Sequence, residues 1–175
     1  AAVVLCPLEK AKEHTDAYAK VSAVVQKSDT LALFQRDTIT SFGATVAAAK
    51  DAYAYAGIKP EDISVAEIHD NYTVAGIMAL EDLGFFGRGK AGKAVLEGKV
   101  TYGNGGNLVV NTSGGLKARG HPLGATGVAQ IAEIVEVGPG GMVDGNEVKM
   151  TLKVGQKVLA SKYAGTEVKL DGQEY

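Results

Sequence analysis

An α/β fold with a mostly parallel sheet, followed by a short β-rich tail, is what this 175-residue sequence predicts. Three features carry that reading. Apolar strand-type runs alternate with helix-type patterns across residues 20–134, the order that builds a parallel sheet through right-handed crossovers. Near Val135 the apolar period changes to two, which marks extended chain to residue 175. Glycine contributes 23 residues and tryptophan none, so the interior is expected to rely on close backbone approach rather than on large aromatic rings. A boundary is placed at residues 134–138.

The elements follow in chain order. Residues 1–5 form an apolar run that reads as a buried strand, and residues 7–13 read as a helix with Pro7 near its first turn. The chain opens on Ala1 rather than methionine, and a buried strand there predicts a truncated or processed start. No basic segment followed by a long apolar one marks a secretory signal. Residues 21–26 read as a second strand. Residues 38–56 read as a long helix with Phe42, Val46, Ala49 and Tyr53 on its apolar stripe; Gly57 stops it and Pro60 bars its continuation. Residues 63–68 are a short strand, after which Asp70 or Asn71 is placed to cap a helix ending near Gly84. Residues 84–106 read as a glycine-rich loop carrying Lys90, Lys93 and Lys99, and residues 108–112 as another buried strand. A helix is expected from Pro122 to about Glu133. Its small residues Gly124, Ala125, Gly127 and Ala129 admit neighbours on several sides, so it is expected to be the most buried helix of a three-layer unit. In the tail, Val148, Met150, Leu152 and Val154 alternate with polar residues, and Asp144-Gly145 and Asp171-Gly172 are hairpin-type turns.

Composition excludes several classes. Eighteen basic against 20 acidic residues give a net charge of −2, so the basic excess of a general nucleic-acid binder is lacking. No apolar run approaches the ~20 residues of a membrane-spanning helix. The single cysteine, Cys6, excludes a disulfide framework and an all-cysteine metal site, and fits a reducing, cytoplasmic setting. Cys6 reads as buried packing.

Two motifs bear on chemistry. Gly87-Arg88-Gly89-Lys90-Ala91-Gly92 matches G-x-G-x-x-G and nearly matches a phosphate loop. However, it follows a helix rather than a strand, and Ala94 stands where a hydroxyl should meet magnesium, so the cradle lacks its context. Of the three histidines, His14 ends a charged helix and reads as solvent-exposed. His69 ends a strand directly before a helix, and His121 sits between Gly120 and Pro122 at a helix start. Each alone would more often be structural. Together they occupy the sheet edge where open α/β folds bind ligands. A helix N-terminus near His121 disfavours imidazolium and keeps the neutral ring that a general base requires.

The stretch Ser113-Gly114-Gly115-Leu116-Lys117-Ala118-Arg119-Gly120-His121-Pro122-Leu123-Gly124-Ala125-Thr126-Gly127 resembles the G-H-P motif of the thiolase superfamily. Ala66-Glu67-Ile68-His69-Asp70-Asn71-Tyr72-Thr73 is similar to the H-D-x-F motif of the sterol-carrier-protein-type and archaeal thiolases. The opening residues 1–11 resemble the last strand of that family's N-terminal half, so residues 1–19 would be a remnant of that half and 20–134 a thiolase-like C-terminal domain. Residues 135–175 resemble the second half of a GroES-like co-chaperonin, without its opening strand and its chaperonin-binding loop. A fusion, an engineered chain and a composite sequence all fit that junction.

The thiolase resemblance implies a layered α/β half and cleavage or formation of carbon–carbon bonds in acyl-CoA thioesters. It implies that His121 activates a cysteine in the N-terminal half and holds the thioester oxygen, and that His69 binds the water of an oxyanion hole. Tyr72, Gly115 and Gly124 would be substrate-binding positions, Tyr72 beside the pantetheine arm. The substrate would be a coenzyme A thioester, with no resident cofactor or metal. The partners would be a thiolase N-terminal half in a homo- or hetero-oligomer, with neither nucleic acid nor membrane span. The second, C-x-G cysteine of the family is absent. Asn71 stands where some sterol-carrier-type members have a proton-carrying cysteine. The readings are therefore the C-terminal half of a thiolase-type acyltransferase, a thiolase-like acyl-CoA retro-aldolase working through Tyr72, a non-catalytic acyl-CoA-binding or assembly subunit, and a co-chaperonin-related module. In the tail, residues 147–170 are expected as antiparallel strands if they follow the co-chaperonin, and within the parallel sheet if they complete the thiolase fold.

Overall fold

The computed structural model describes residues 2–16, 18–101, 108–135, 140–143, 146–149, 158–160, 169–170 and 173–174. A 3-10 turn at Leu8–Lys10, entered through Pro7, leads into α1 (Ala11–His14). The two strands expected before residue 30 do not form: residues 2–6 and 21–26 carry no ladder. A strand is held by a neighbour's backbone groups, and no described strand pairs with either segment. Val4 is 94% and Val24 84% exposed.

α2 spans Gly43–Ala56, five residues shorter at its start than the expected helix. The Thr38 and Thr40 hydroxyls bond each other at 2.9 Å, and the Thr40 amide donates to the Thr38 hydroxyl at 3.2 Å. Such local bonds compete with the helical ladder. The amides at the true start go to carboxylates from elsewhere, Phe42 N to Asp82 at 2.7 Å and Ala44 N to Asp29 at 3.1 Å. At the other end Gly57 takes φ 65°, and the Ile58 amide reaches back to Tyr53 O at 3.1 Å. This is a left-handed glycine cap, as expected.

Among the described residues the main sheet is small, three-stranded and parallel. β1 (Val65–Glu67) lies in the middle, with Val65 opposite Val109 of β2 (Val109–Val110) and opposite Val158 of β5 (Val158–Ala160). α3 (Thr73–Asp82) and α4 (Ala91–Leu96) follow β1. Ile63, Ala66, Ile68, Leu80 and Ala91 form a buried cluster that joins both helices to one face of the sheet. The Tyr53 hydroxyl donates to Leu83 O at 2.8 Å and ties α2 to the end of α3; burial pushes its pKa up to about 12. α6 (Thr126–Val135) shares nothing with that cluster among the described residues and packs against β1 and β5, so it covers the other face.

Residues 84–106 are not simply a loop, because α4 lies within them. The G-x-G-x-x-G amides already have an anion: Glu81 accepts from Gly89 N at 2.9 Å and Ala91 N at 3.1 Å. Those amides hold the Glu81 carboxyl below the usual carboxylate range. Buried Asp82 accepts from Ser41 Oγ at 2.7 Å and is paired with Arg88.

The helix expected from Pro122 starts at Thr126, after a turn at residues 123–125 and a separate short helix, α5 (Gly115–Arg119). Its burial is uneven: Thr126 and Gln130 are fully buried, while Ile131 is 42% exposed. Small residues permit burial on several sides but do not require it.

Beyond α6 the described elements are strands. β3 (Gly140–Val143) and β4 (Asn146–Lys149) pair antiparallel, as do β6 (Lys169–Leu170) and β7 (Gln173–Glu174). The turns expected at 144–145 and 171–172, and the alternating Met150, Leu152 and Val154, lie outside the described residues. β5 departs from the antiparallel expectation by joining β1 in parallel. The edge of β1 away from β2 offers unpaired backbone groups, and an apolar Val158-Leu159-Ala160 strand satisfies them. Among the described residues no helix is long and apolar enough to cross a membrane.

Candidate functional site

β1 and β2 run parallel, so the loops after both leave the same sheet edge. Asn111 holds the two strand ends together beyond their ladder. It adopts φ 53°, a conformation asparagine tolerates better than most residues. Its amide donates to Ala66 O at 2.8 Å, and its side-chain oxygen accepts from the Ile68 amide at 2.8 Å.

Glu67, the last residue of β1, points away from the Ala66 face and is 0% exposed. Its Oε1 accepts from Thr112 Oγ1 at 3.0 Å and Ser113 N at 3.1 Å; its Oε2 accepts from Ser113 Oγ at 2.7 Å and Arg119 Nη2 at 3.4 Å. The Arg119 side chain is 1% exposed. Burial lowers its pKa, and the Glu67, Asp70 and Glu133 carboxylates oppose that. A buried carboxylate with four donors thus anchors the whole segment between β2 and α5.

Asp70 is not a helix cap. Its Oδ1 accepts from the Leu116 amide at 2.9 Å, at the start of α5. Asn71 accepts from Tyr72 N at 3.1 Å, and no side chain caps α3. Gly115 is what lets Asp70 come so close. It sits at φ 72°, and a Cβ there would overlap Asp70 Oδ2.

These ties bring the two histidines together. The rings of His69 and His121 lie edge to face with centroids 4.9 Å apart. His121 is exposed and lies before α6 rather than in its first turn; its Nδ1 is 3.0 Å from Thr126 Oγ1. Thr126 Oγ1 in turn donates to Pro122 O at 2.9 Å. Burial lowers the His69 pKa below the usual histidine range; His121 and Arg119 lower it further, and Asp70 opposes them. His69 is therefore held neutral near pH 7, able to hydrogen-bond a water or a developing oxyanion without carrying charge.

The remaining predicted site residues scatter along the same edge. Tyr72 is exposed immediately before α3, Gly115 is buried at the start of α5, and Gly124 is exposed in the turn before α6 with open space where a Cβ would stand. His14 is exposed at the end of α1, as expected. Cys6 is exposed rather than buried, because the strand meant to carry it inward does not form. Sequence reasoning missed Glu67, Asp70, Asn111, Arg119 and Thr126. One signal was present: Glu67 is a lone carboxylate in an otherwise apolar strand. Among the described residues no cluster of histidine, cysteine and carboxylate side chains could hold a metal ion. An apolar cavity of about 220 Å³ lies at the other end of the strands, beside Ile63 and Leu108.

Comparison with known proteins yields two kinds of relative. The acetyl-CoA acetyltransferase of Methanothermobacter thermautotrophicus is 48% identical over 160 residues, covering 89% of this chain and 41% of that protein. The sterol carrier protein 2 of Oryctolagus cuniculus is 44% identical over 96 residues, covering 55% of this chain and 17% of that protein. This chain thus spans about two fifths of the length of the archaeal relative. The co-chaperonin GroES of Clostridium novyi is 76% identical over 46 residues, covering 26% of this chain and 49% of that protein. The archaeal and co-chaperonin matches together exceed the chain, so they share residues. A family profile described as thiolase C-terminal domain-like matches residues 25–152, most of the chain and all of the histidine edge, and this chain belongs to that family.

Proposed function

We propose that this chain is the C-terminal half of a thiolase-type acyl-CoA acyltransferase, catalysing Claisen condensation or thiolysis of coenzyme A thioesters with a nucleophilic cysteine from an N-terminal half. The observation that supports it most is the His69–His121 pair, 4.9 Å apart at the carboxyl edge of the sheet. Thioester chemistry of this kind passes through an enolate and a tetrahedral adduct, both with a developing negative oxygen. Fixed donors aimed at such an oxygen stabilise it most when they need no reorganisation. In this reading His121 takes the proton of the cysteine thiol, hydrogen-bonds the oxygen of the tetrahedral adduct, and returns the proton to the departing coenzyme A thiolate. His69, neutral and partly buried, positions the water that shares that oxygen. Tyr72 stands beside the pantetheine arm, and Gly124 is a second substrate-binding position. The chain needs no resident cofactor, works in the cytoplasm, and assembles with its N-terminal half in an oligomer.

The test is reconstitution. The chain is mixed with the N-terminal portion of the archaeal acetyltransferase. Transfer of the acetyl group from acetyl-CoA to the cysteine of that portion is followed by mass and by released coenzyme A; this half of the reaction needs no second proton-carrying cysteine. Activity is expected from the mixture only. His121→Ala is expected to lower it by at least 100- to 1000-fold, the scale of one lost oxyanion donor, and His69→Ala by less. Coenzyme A release by the isolated chain that survives His121→Ala would overturn the reading, as would an inert mixture whose components demonstrably bind.

A further inference from the structure

We infer that Thr126 is a positioning residue that fixes the tautomer of His121, keeping the proton on Nδ1 and the lone pair on Nε2. The inference rests on the proposed role of His121 and deepens it, because a base must present its lone pair to the thiol.

Thr126 is fully buried, and its hydroxyl has a single proton. Its Oγ1 lies 2.9 Å from Pro122 O and 3.0 Å from His121 Nδ1. A carbonyl oxygen has no proton to give, so the first contact consumes the hydroxyl's own. The second contact is a hydrogen bond only if the proton comes from Nδ1. The reverse arrangement, with the hydroxyl aimed at Nδ1, would leave two oxygens facing each other at 2.9 Å with nothing between them. A neutral imidazole that donates from Nδ1 carries its lone pair on Nε2.

Local covalent structure holds the arrangement. Threonine branches at Cβ, and in a helix its hydroxyl bonds the carbonyl one turn back. That carbonyl belongs to Pro122, which also accepts from the Ala125 and Thr126 amides, both at 2.9 Å. The proline ring fixes φ between His121 and the turn. The histidine, the carbonyl and the hydroxyl thus lie within six consecutive residues.

The experiment reads the ring directly. Long-range proton–nitrogen NMR correlation on the full chain, labelled at histidine and held at mildly alkaline pH, reports which nitrogen of each ring is protonated. The chain has three histidines, and His14→Gln and His69→Gln assign the signals. His121 is expected as the Nδ1–H form. Thr126→Val is expected to shift its tautomer ratio towards Nε2–H by about fivefold or more, the equivalent of one ordinary hydrogen bond, and Thr126→Ser to restore it. An Nε2–H ring in the unaltered chain, or a Thr126→Val spectrum identical to the original, overturns the inference. Should Thr126→Val fail to fold, the unaltered chain and Thr126→Ser decide. No turnover is needed, so the two proposals fail separately. An Nδ1–H ring together with a harmless His121→Ala in the reconstituted assay would sink the proposed function alone.

Discussion

Replacing Glu67 by glutamine tests the organisation of the site edge most severely, because it keeps the shape and changes only what the oxygens can do. Of the four donors on Glu67, the Thr112 and Ser113 hydroxyls can turn round and accept. The Ser113 amide on Oε1 and the Arg119 guanidinium on Oε2 cannot. A glutamine has one oxygen and one NH₂ group. Whichever way the amide is turned, its NH₂ faces a group that can only donate. Hydrogen bonds to a charged acceptor contribute about 1.5–3 kcal/mol, and breaking a buried ion pair from one side costs about 3–5 kcal/mol. Arg119 also feels Asp70 and Glu133, which places the expected loss at the lower end, about 3 kcal/mol. With a urea slope of about 2 kcal/mol per molar, the unfolding midpoint should fall by about 1.5 M. Circular dichroism during urea titration measures it. The double variant Glu67→Gln/Arg119→Met should recover part of the loss, because the donor left facing NH₂ is gone. A midpoint shift below about 0.3 M, the size of an ordinary surface change, would refute the claim that Glu67 anchors the segment after β2.

Three further outcomes follow from the same geometry. Gly115→Ala adds a strained left-handed residue, costing about 1–2 kcal/mol, to an overlap with Asp70. Asp70→Ala in the same chain should relieve the overlap but not the backbone strain, as urea midpoints would show. Tyr53→Phe should cost about 1 kcal/mol for the bond to Leu83 O and delete the tyrosine whose alkaline absorbance change comes near pH 12. Finally, His69 has a depressed pKa in the folded chain, so on acidification the unfolded chain takes up the proton first. Its contribution to stability is complete above about pH 6.5 and is lost as pH falls through the folded value. Urea midpoints measured down a pH series should therefore fall less steeply for His69→Gln than for the unaltered chain.

Much of the fold was legible wherever a rule acts locally. Gly57 and Pro60 mark the end of α2, and the apolar run around Val65 marks the central strand, because a cap or a strand's side-chain period is written in adjacent residues. The elements misplaced were those decided by distant partners. Residues 21–26 have strand composition and no ladder to join. Thr38 and Thr40 bond each other and delay α2, whose start is set by carboxylates from Asp29 and Asp82. At the site, His69 and His121 could be placed on one edge from strand order alone. Asp70 could not be assigned, since a residue before a helix reads as its cap. Its true partner, the Leu116 amide, is 46 positions away in sequence.

The glycine-rich segment between α3 and α4 carries its own competitor. Glu81 occupies the amides of Gly89 and Ala91 and is covalently part of the same short stretch of chain. A group tethered in this way acts at an effective concentration of roughly millimolar or above, whatever the solution contains. A phosphate approaching those amides would have to evict a resident that never diffuses away, and the evicted carboxylate would still stand beside it and repel it. The spacing that in other proteins invites a nucleotide is here a closed circuit, spent on seating the first turn of α4 against α3.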